Sequence, residues 1–504
     1  MGIPLVTVND IMKAISTLKN KKCNVDEIPV KIIKENKELL CEPLSKLFND
    51  SISNGVFPRH FKVAKIIPIH KSGSKTNISN YRPISILSVF SKIFELLMKN
   101  FLMNYLNKHK ILSNSQYGFR SGLNTFDALA KFTSDVYSAL DNHKSIISIF
   151  IDFSKAFDTV HPNILLDKLQ HYGIRGNIHK WFKSYLSNRS HYTLHNKTTS
   201  NIKTMHLGVP QGSILGPILF LLYINDMNSV STFNIIQFAD DSTLYLQGDN
   251  PTHIIHKANI ELTKFSEWCL ANRLTINTTK TYYMLFTNTI AKYQPLPRLT
   301  ILNDDILQVN IIKFLGVTFD KNLTFKYHIT NLCLKLSRSI ALLLRTKSLV
   351  PSEISSMMYY AHIYPHLSYC NPIWSTTYPC HVNSLNILHK KIIRIVTNSD
   401  FLAHTPPLFK SRNILQLSDL TNFFIASYMF TNLHNNNIPV QQTRHYSTRN
   451  EQTLQIPRHN LTVYRQSLMY KGPVVWNTIP QYVKEAQHHA IFKKHLKKHM
   501  LSSY

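Results

Sequence analysis

Asp152, Asp240 and Asp241 are the residues from which chemistry is argued first. Asp152 ends the apolar run SIISIFID (145–152), and Asp240 and Asp241 lie within NIIQFADDSTLYLQG (234–248), between two strand-like halves. A sheet that pairs these strands brings carboxylates from distant parts of the chain into one cluster. Hard oxygen ligands of that kind suit two Mg²⁺ ions about 3.5–4 Å apart, the arrangement that activates a 3′-hydroxyl and stabilises a leaving pyrophosphate. Position alone is weak support. A strand-end Asp is more often a turn or cap residue, and an adjacent acidic pair is more often a solvated turn. Asp304 and Asp305 also stand between strand-like runs, without such company, and read as an ordinary turn.

The elements that must hold the three carboxylates follow from periodicity. The run 145–152 is apolar without alternation and one strand long, so it reads as a central strand buried on both faces. Residues 234–248 read as a hairpin. Between them, HPNILLDKLQHYG (161–173) is a helix closed by Gly173, and WFKSYLSNR (181–189) leads into further strand-like residues. Upstream, 8–55 carries helical spacing, VAKIIPIHKSGSK (63–75) reads as a strand and basic turn, and Ile84 to His109 as one long amphipathic helix. Downstream, 256–272 looks helical, KTYYMLF (280–286) strand-like, and LTILNDDILQVN (299–310) a second hairpin. Beyond about residue 325 the pattern is mainly helical, and 440–462 is polar and basic.

Composition bounds the partners. Lys and Arg outnumber Asp and Glu by 57 to 28, a formal net charge of +29 spread along all 504 residues, so a polyanion is the expected partner. The six cysteines form no CxxC pair and sit at no zinc-finger spacing, which reads as reduced thiols. The start MGIPLVTVNDIMKAIS has no basic-then-apolar leader, and no uncharged apolar run reaches the roughly 18 residues a membrane span needs. The expectation is an intracellular protein with no membrane partner, nucleus or cytoplasm left open.

FIDFSKAFDTVHP (150–162), GVPQGSILGPILFLLYINDM (208–227) and FADDSTLY (238–245) resemble motifs A, B and C of reverse transcriptases, in order and at plausible separations. The wording is similar to the non-LTR (LINE-type, jockey-like) retrotransposon class. NYRPISILSVFSKIFE (80–95), SNSQYGFRSGLNTFDAL (113–129), KFLGVTFD (313–320), YAHIYPHLSYCNPIW (360–374) and GPVVWNTIP (472–480) extend the resemblance over nearly the whole chain. It implies an α+β right-hand polymerase with fingers, an antiparallel-sheet palm and a helical thumb, plus a mainly helical basic C-terminal extension. The expected divisions are an N-terminal helical extension at 1–62, fingers and palm at 63–320, thumb at 321–400 and the basic region at 401–504. The implied activity is RNA-directed DNA polymerisation, with an RNA template, a DNA primer, deoxynucleoside triphosphates and two Mg²⁺ ions, Mn²⁺ being able to substitute. Any endonuclease domain is expected to be separate or missing.

Carried over by residue, the resemblance makes Asp152 and Asp240 the principal metal ligands and Asp241 the supporting carboxylate. The Phe153 carbonyl completes the second metal site. Phe157 matches the bulky residue that excludes a ribose 2′-hydroxyl, although a core aromatic is its plainer reading. Gln211 and Gly212 match the motif B pair beside the templating base and nucleotide. Arg82 and Lys71 match fingers residues that hold the triphosphate. Lys280 matches a lysine proposed to protonate pyrophosphate, against the plainer reading of an exposed lysine. The rivals are a catalytically silent RNA-binding remnant and an intron-type enzyme with a maturase role. KKCNVDEIP (21–29) departs from the Gly-rich text usual near the N-terminus of this class.

Overall fold

Strands and helices in the computed structural model follow the apolar periodicity closely, and all residues except 21–24, 27, 289–294 and 435–452 are described. The strands are β1 (Val63–His70), β2 (Tyr81–Ile86), β3 (Ser145–Ile151), β4 (Arg189–His195), β5 (Thr198–Thr199), β6 (Lys203–Met205), β7 (Asn234–Phe238), β8 (Asp241–Gly248), β9 (Tyr282–Phe286), β10 (Thr300–Ile301), β11 (Asp304–Asp305), β12 (Leu307–Gln308), β13 (Ile311–Phe314) and β14 (Val317–Asp320). The helices that frame them are α1 (Val8–Thr17), α2 (Val30–Glu35), α3 (Lys37–Asn54), α4 (Val89–Lys108), α5 (Thr125–Asp141), α6 (Pro162–His171), α7 (Gly176–Leu186), α8 (Gly216–Tyr223), α9 (Pro251–Ala271) and α10 (Lys326–Thr346). From there to the C-terminus the described residues are mainly helical.

The central sheet runs β12-β9-β3-β8-β7. Its four main strands are antiparallel, as expected for the palm, and short β12 joins β9 in parallel. Every residue of β3 is buried, which explains its lack of alternation. Ile147, Ile149 and Ile151 face a core shared with Leu165 of α6, Leu219 of α8 and Phe265 of α9. Ile146 and Phe150 face the other, with Phe132 of α5, Phe319 of β14, Leu336 of α10 and, further along, Trp374, Phe430 and Phe492. Phe132 centres that second core: the rings of Phe150, Tyr245, Phe286, Phe314 and Phe319 all lie 5.6–6.1 Å from it, edge-on. α5 is started by a reciprocal capping box between Asn124 and Asp127. A second sheet, β2-β1-β4-β5 with β6 beside β4, carries the basic turn after β1.

Three local expectations are corrected. The helix expected from Ile84 begins only at Val89: Ser88 caps it, and the pairing of β2 with β1 holds 81–86 extended, with Pro83 opposite Pro68. Within 181–189, Trp181 to Leu186 belong to α7, whose Trp181, Phe182 and Tyr185 bury one helical face, and the strand starts at Arg189. In 299–310, β10 pairs with β11 around Leu302 and Asn303, whose φ values are 50° and 69°. Asp304 and Asp305 are therefore exposed strand residues rather than the turn itself, and the chain then leaves the hairpin for β12.

Cys41, Cys269 and Cys370 are buried free thiols, Cys333 is partly covered and Cys380 is exposed. Cys23 and most of the KKCNVDEIP text lie outside the described residues, as does 440–452 of the polar basic stretch. No described helix is long and apolar enough to cross a membrane.

Candidate functional site

Sheet register brings the three carboxylates together. β3 and β8 pair as far as Ile151 opposite Ser242, so one further step sets Asp152 beside Asp241. β7 and β8 pair as far as Phe238 opposite Asp241, leaving Ala239 and Asp240 as a two-residue turn at the tip. Ala239 takes a left-handed φ of 59°, which aims the turn without a glycine. The segment 115–118 braces it. Gln116, 2% exposed, accepts hydrogen bonds at its Oε1 from the N–H of Ala239 (3.1 Å) and Gly118 (2.8 Å). Gly118 passes so close beneath the turn that a Cβ there would meet the Ala239 nitrogen at 2.5 Å.

The chain leaving β3 is pinned from the other side. The Thr281 hydroxyl accepts from the Asp152 N–H (3.4 Å), and the Asp152 carbonyl accepts from the Asn277 N–H (2.8 Å). Phe153 is bridged to Ile276, and Ser154 N–H donates to the Thr275 carbonyl at 2.9 Å. Phe153 itself is buried in the core.

Charge shows the convergence most directly. Asp241 is exposed to solvent, yet enough of the protein surrounds its carboxyl to raise it. Burial first, then the Asp240 and Asp152 charges, push its carboxyl up to about 6, while Lys71 and Arg82 pull in the opposite sense. Four residues singled out from sequence thus act on the carboxyl of a fifth. Lys71 and Arg82 stand exposed at the turn end of the β1–β2 pair, where the Lys71 N–H donates to the Asn80 carbonyl (2.8 Å). Among the described residues no three His, Cys, Asp or Glu side chains close into a metal-ligand group. Register and the charge that Asp152 and Asp240 exert on Asp241 place the three carboxylates in one neighbourhood. Their donor chemistry fits a hard divalent cation, which would relieve the repulsion that raises Asp241.

The loop 208–215 lies against both neighbours of the carboxylates. The Gly208 and Val209 N–H groups donate to the carbonyls of Val160 (2.7 Å) and Phe157 (2.9 Å). Gln211 donates from Nε2 to Asp158 at 2.8 Å, and its carbonyl accepts from Ser85 N–H of β2 at 2.7 Å. Gly212, at φ 120°, comes so close to β2 that a Cβ would meet the Ser85 carbonyl oxygen at 2.5 Å, so no side chain fits. Phe157 is half-buried and stacks on Phe220 of α8, ring centroids 4.5 Å apart.

Lys280 is not among the charges that act on Asp241; it is exposed, on a single 3₁₀ turn (Thr278–Lys280) before β9 rather than on the strand. Sequence reasoning missed the positioning residues Gln116, Asp158 and Thr281. All three fall inside matched strings, Thr281 as the last residue of NRLTINTTKT (272–281) beside Lys280, but a matched string does not say which side chain braces another.

Residues 69–319 match the family "Reverse transcriptase (RNA-dependent DNA polymerase)". The chain is 28% identical over 436 residues to the probable RNA-directed DNA polymerase from transposon BS of Drosophila melanogaster, covering 82% of this chain and 47% of that protein. It is 26% identical over 455 residues to the RNA-directed DNA polymerase from mobile element jockey of the same organism, covering 87% and 49%. The chain thus spans about half the length of the curated relatives it matches. Among solved structures, a telomerase from Candida albicans aligns over 73% of this chain and 68% of its own, at 13% identity and a TM-score of 0.41.

Proposed function

Since this chain belongs to the reverse transcriptases of non-LTR retrotransposons, we propose that it extends a DNA primer on an RNA template, adding deoxynucleotides at the Asp152–Asp240–Asp241 cluster. The observation that carries this reading is the Asp241 carboxyl, crowded by Asp240 and Asp152 and faced by Lys71 and Arg82. Reverse transcriptases use divalent metal ions. Here Asp152, Asp240 and the Phe153 carbonyl would hold two Mg²⁺, with Asp241 in support, supplying activation of the primer hydroxyl and charge neutralisation at the leaving pyrophosphate. Lys71 and Arg82 take the triphosphate, their donors matching its oxygens. Gln211 and Gly212 line the base-pair side of the pocket. Phe157, stacked on Phe220, stands as the sugar gate. Lys280 is the candidate proton donor to pyrophosphate, which requires it to swing in from its exposed turn.

The division proposed is fingers and palm at 63–320, thumb at 321–400, and basic or helical extensions at 401–504 and 1–62. Template and primer are tracked by backbone charge, for which the excess of 57 cationic over 28 anionic side chains is the support.

Primer extension on a primed RNA with deoxynucleotides and Mg²⁺ tests the reading. Wild type is expected to extend. Asp240→Asn, which removes a ligand charge, is expected to lose activity at least about 100-fold while folding and RNA binding persist. RNA binding by the wild type without extension would instead favour the silent remnant.

A further inference from the structure

Glu95, on α4, has no exposed surface and is not used by the site described above. Its Oε2 accepts hydrogen bonds from the backbone N–H groups of Ile214 (2.7 Å) and Leu215 (3.3 Å), the residues that lead from the loop 208–215 into α8. Its Oε1 accepts from the hydroxyls of Tyr185 (3.1 Å) and Ser91 (3.3 Å). Arg189, 2% exposed, supplies the countercharge, lies 4.8 Å over the Tyr185 ring and donates to the Tyr185 carbonyl at 3.1 Å. A carboxyl is tolerated in a core only where its oxygens are satisfied, and here half of that satisfaction comes from the main chain of one loop.

That loop is the one that carries Gln211 and Gly212. Upstream it is tied to 157–160 through Gly208 and Val209, and at its centre to β2 through Gln211 and Ser85. Ser213 only folds it onto itself, bridging the Pro210 carbonyl and the Gly216 N–H at 2.9 Å each. Glu95 supplies the downstream tie. Arg189 also opens β4, which runs parallel to β1, the strand that leads to Lys71. One buried carboxyl therefore joins the motif B loop to the sheet that carries the basic turn.

We propose that Glu95 is a positioning residue for the nucleotide pocket, holding the loop 208–215 in the register that sets Gln211 against Asp158 and Gly212 against Ser85. The inference rests on the polymerase reading above. Releasing Ile214 and Leu215 lets the loop drift, and a small displacement of groups that orient a substrate weakens its binding far more than it weakens template binding elsewhere.

The test is steady-state extension on one primed RNA by the full chain, comparing Glu95→Ala, Glu95→Asp and Glu95→Gln. Ala and Asp are expected to raise the deoxynucleotide KM roughly tenfold and to raise misincorporation, with kcat and primer–template affinity changed less than about twofold. Gln is expected to rescue part of the loss, because its amide oxygen can still accept from Ile214 while its amino group donates to the two hydroxyls, although Arg189 is then left without a countercharge. Folded Ala and Asp variants with wild-type KM and misincorporation would overturn the role. So would an effect confined to primer–template affinity. Should neither variant fold, the double variant Ser91→Ala with Tyr185→Phe strips Oε1 of its donors at nearly unchanged volume and is read by the same criteria. A silent wild type defeats the polymerase reading, whereas an active wild type with unaltered variants defeats the Glu95 role alone.

Discussion

Replacing Asp241 by Asn should stabilise the metal-free protein while disabling the site. Asp241 has its carboxyl raised from the ordinary 3.8 to about 6, chiefly by burial and then by Asp240 and Asp152. In the unfolded chain it loses its proton near 3.8, so between pH 4 and 6 the folded state holds a proton that the unfolded state has released. Stability therefore falls as pH rises through that window, and the full penalty persists above pH 6. The interval of a little over two pH units corresponds to on the order of 3 kcal/mol for a shielded group. Asp241 is partly open to solvent, and screening leaves on the order of 1 kcal/mol. Thermal melts in excess chelator should show Asp241→Asn melting higher than wild type at pH 8, by on the order of 2 °C, and equal to it at pH 4. Added Mg²⁺ should raise the wild-type melting temperature at pH 8 more than that of the variant. A variant that melts at or below wild type at pH 8 in chelator would show that the three carboxylates do not repel one another in the folded chain, and the cluster argument would fail with it.

Phe157→Val should raise ribonucleotide incorporation relative to deoxynucleotide incorporation, by up to about a hundredfold, since shape alone rejects one hydroxyl only to that extent; an unchanged ratio in a competition assay would make the Phe157–Phe220 stack plain core packing. Affinity for a primer–template duplex should fall linearly with salt on logarithmic axes and vary little with sequence, which filter binding at four salt concentrations can check; a flat response would contradict backbone tracking. Gln116→Ala removes the acceptor that holds the Ala239 N–H and leaves that group unpaired, so it should destabilise by about 1–3 kcal/mol and lower kcat more than it changes primer–template affinity. Equal melting temperatures and equal kcat would show that the hairpin tip holds itself.

Much of this was legible before any fold. The apolar run of β3, the hairpin at 234–248 and the helix at 162–171 are local patterns, and short-range periodicity states them directly. The three carboxylates could be named because strand ends and hairpin tips are also local features. Where reading failed, a longer-range contact decided. Residues 84–86 have the composition of the helix that follows, and only pairing with β1 makes them strand. Trp181, Phe182 and Tyr185 suit a strand by type, and only the core they enter makes them one helical face.

The sequence by itself determined which residue types can bind metal and phosphate, because identity and chemical class do not depend on the fold. Tertiary structure alone decided how those residues meet: the step beyond Ile151 and Ser242 that sets Asp152 beside Asp241, the brace from Gln116 and Gly118 under the hairpin tip, and the buried Glu95 behind the loop. Each of these depends on contacts between segments far apart in the chain. Register and burial are set by the whole sheet and both cores at once, so no window of sequence contains them.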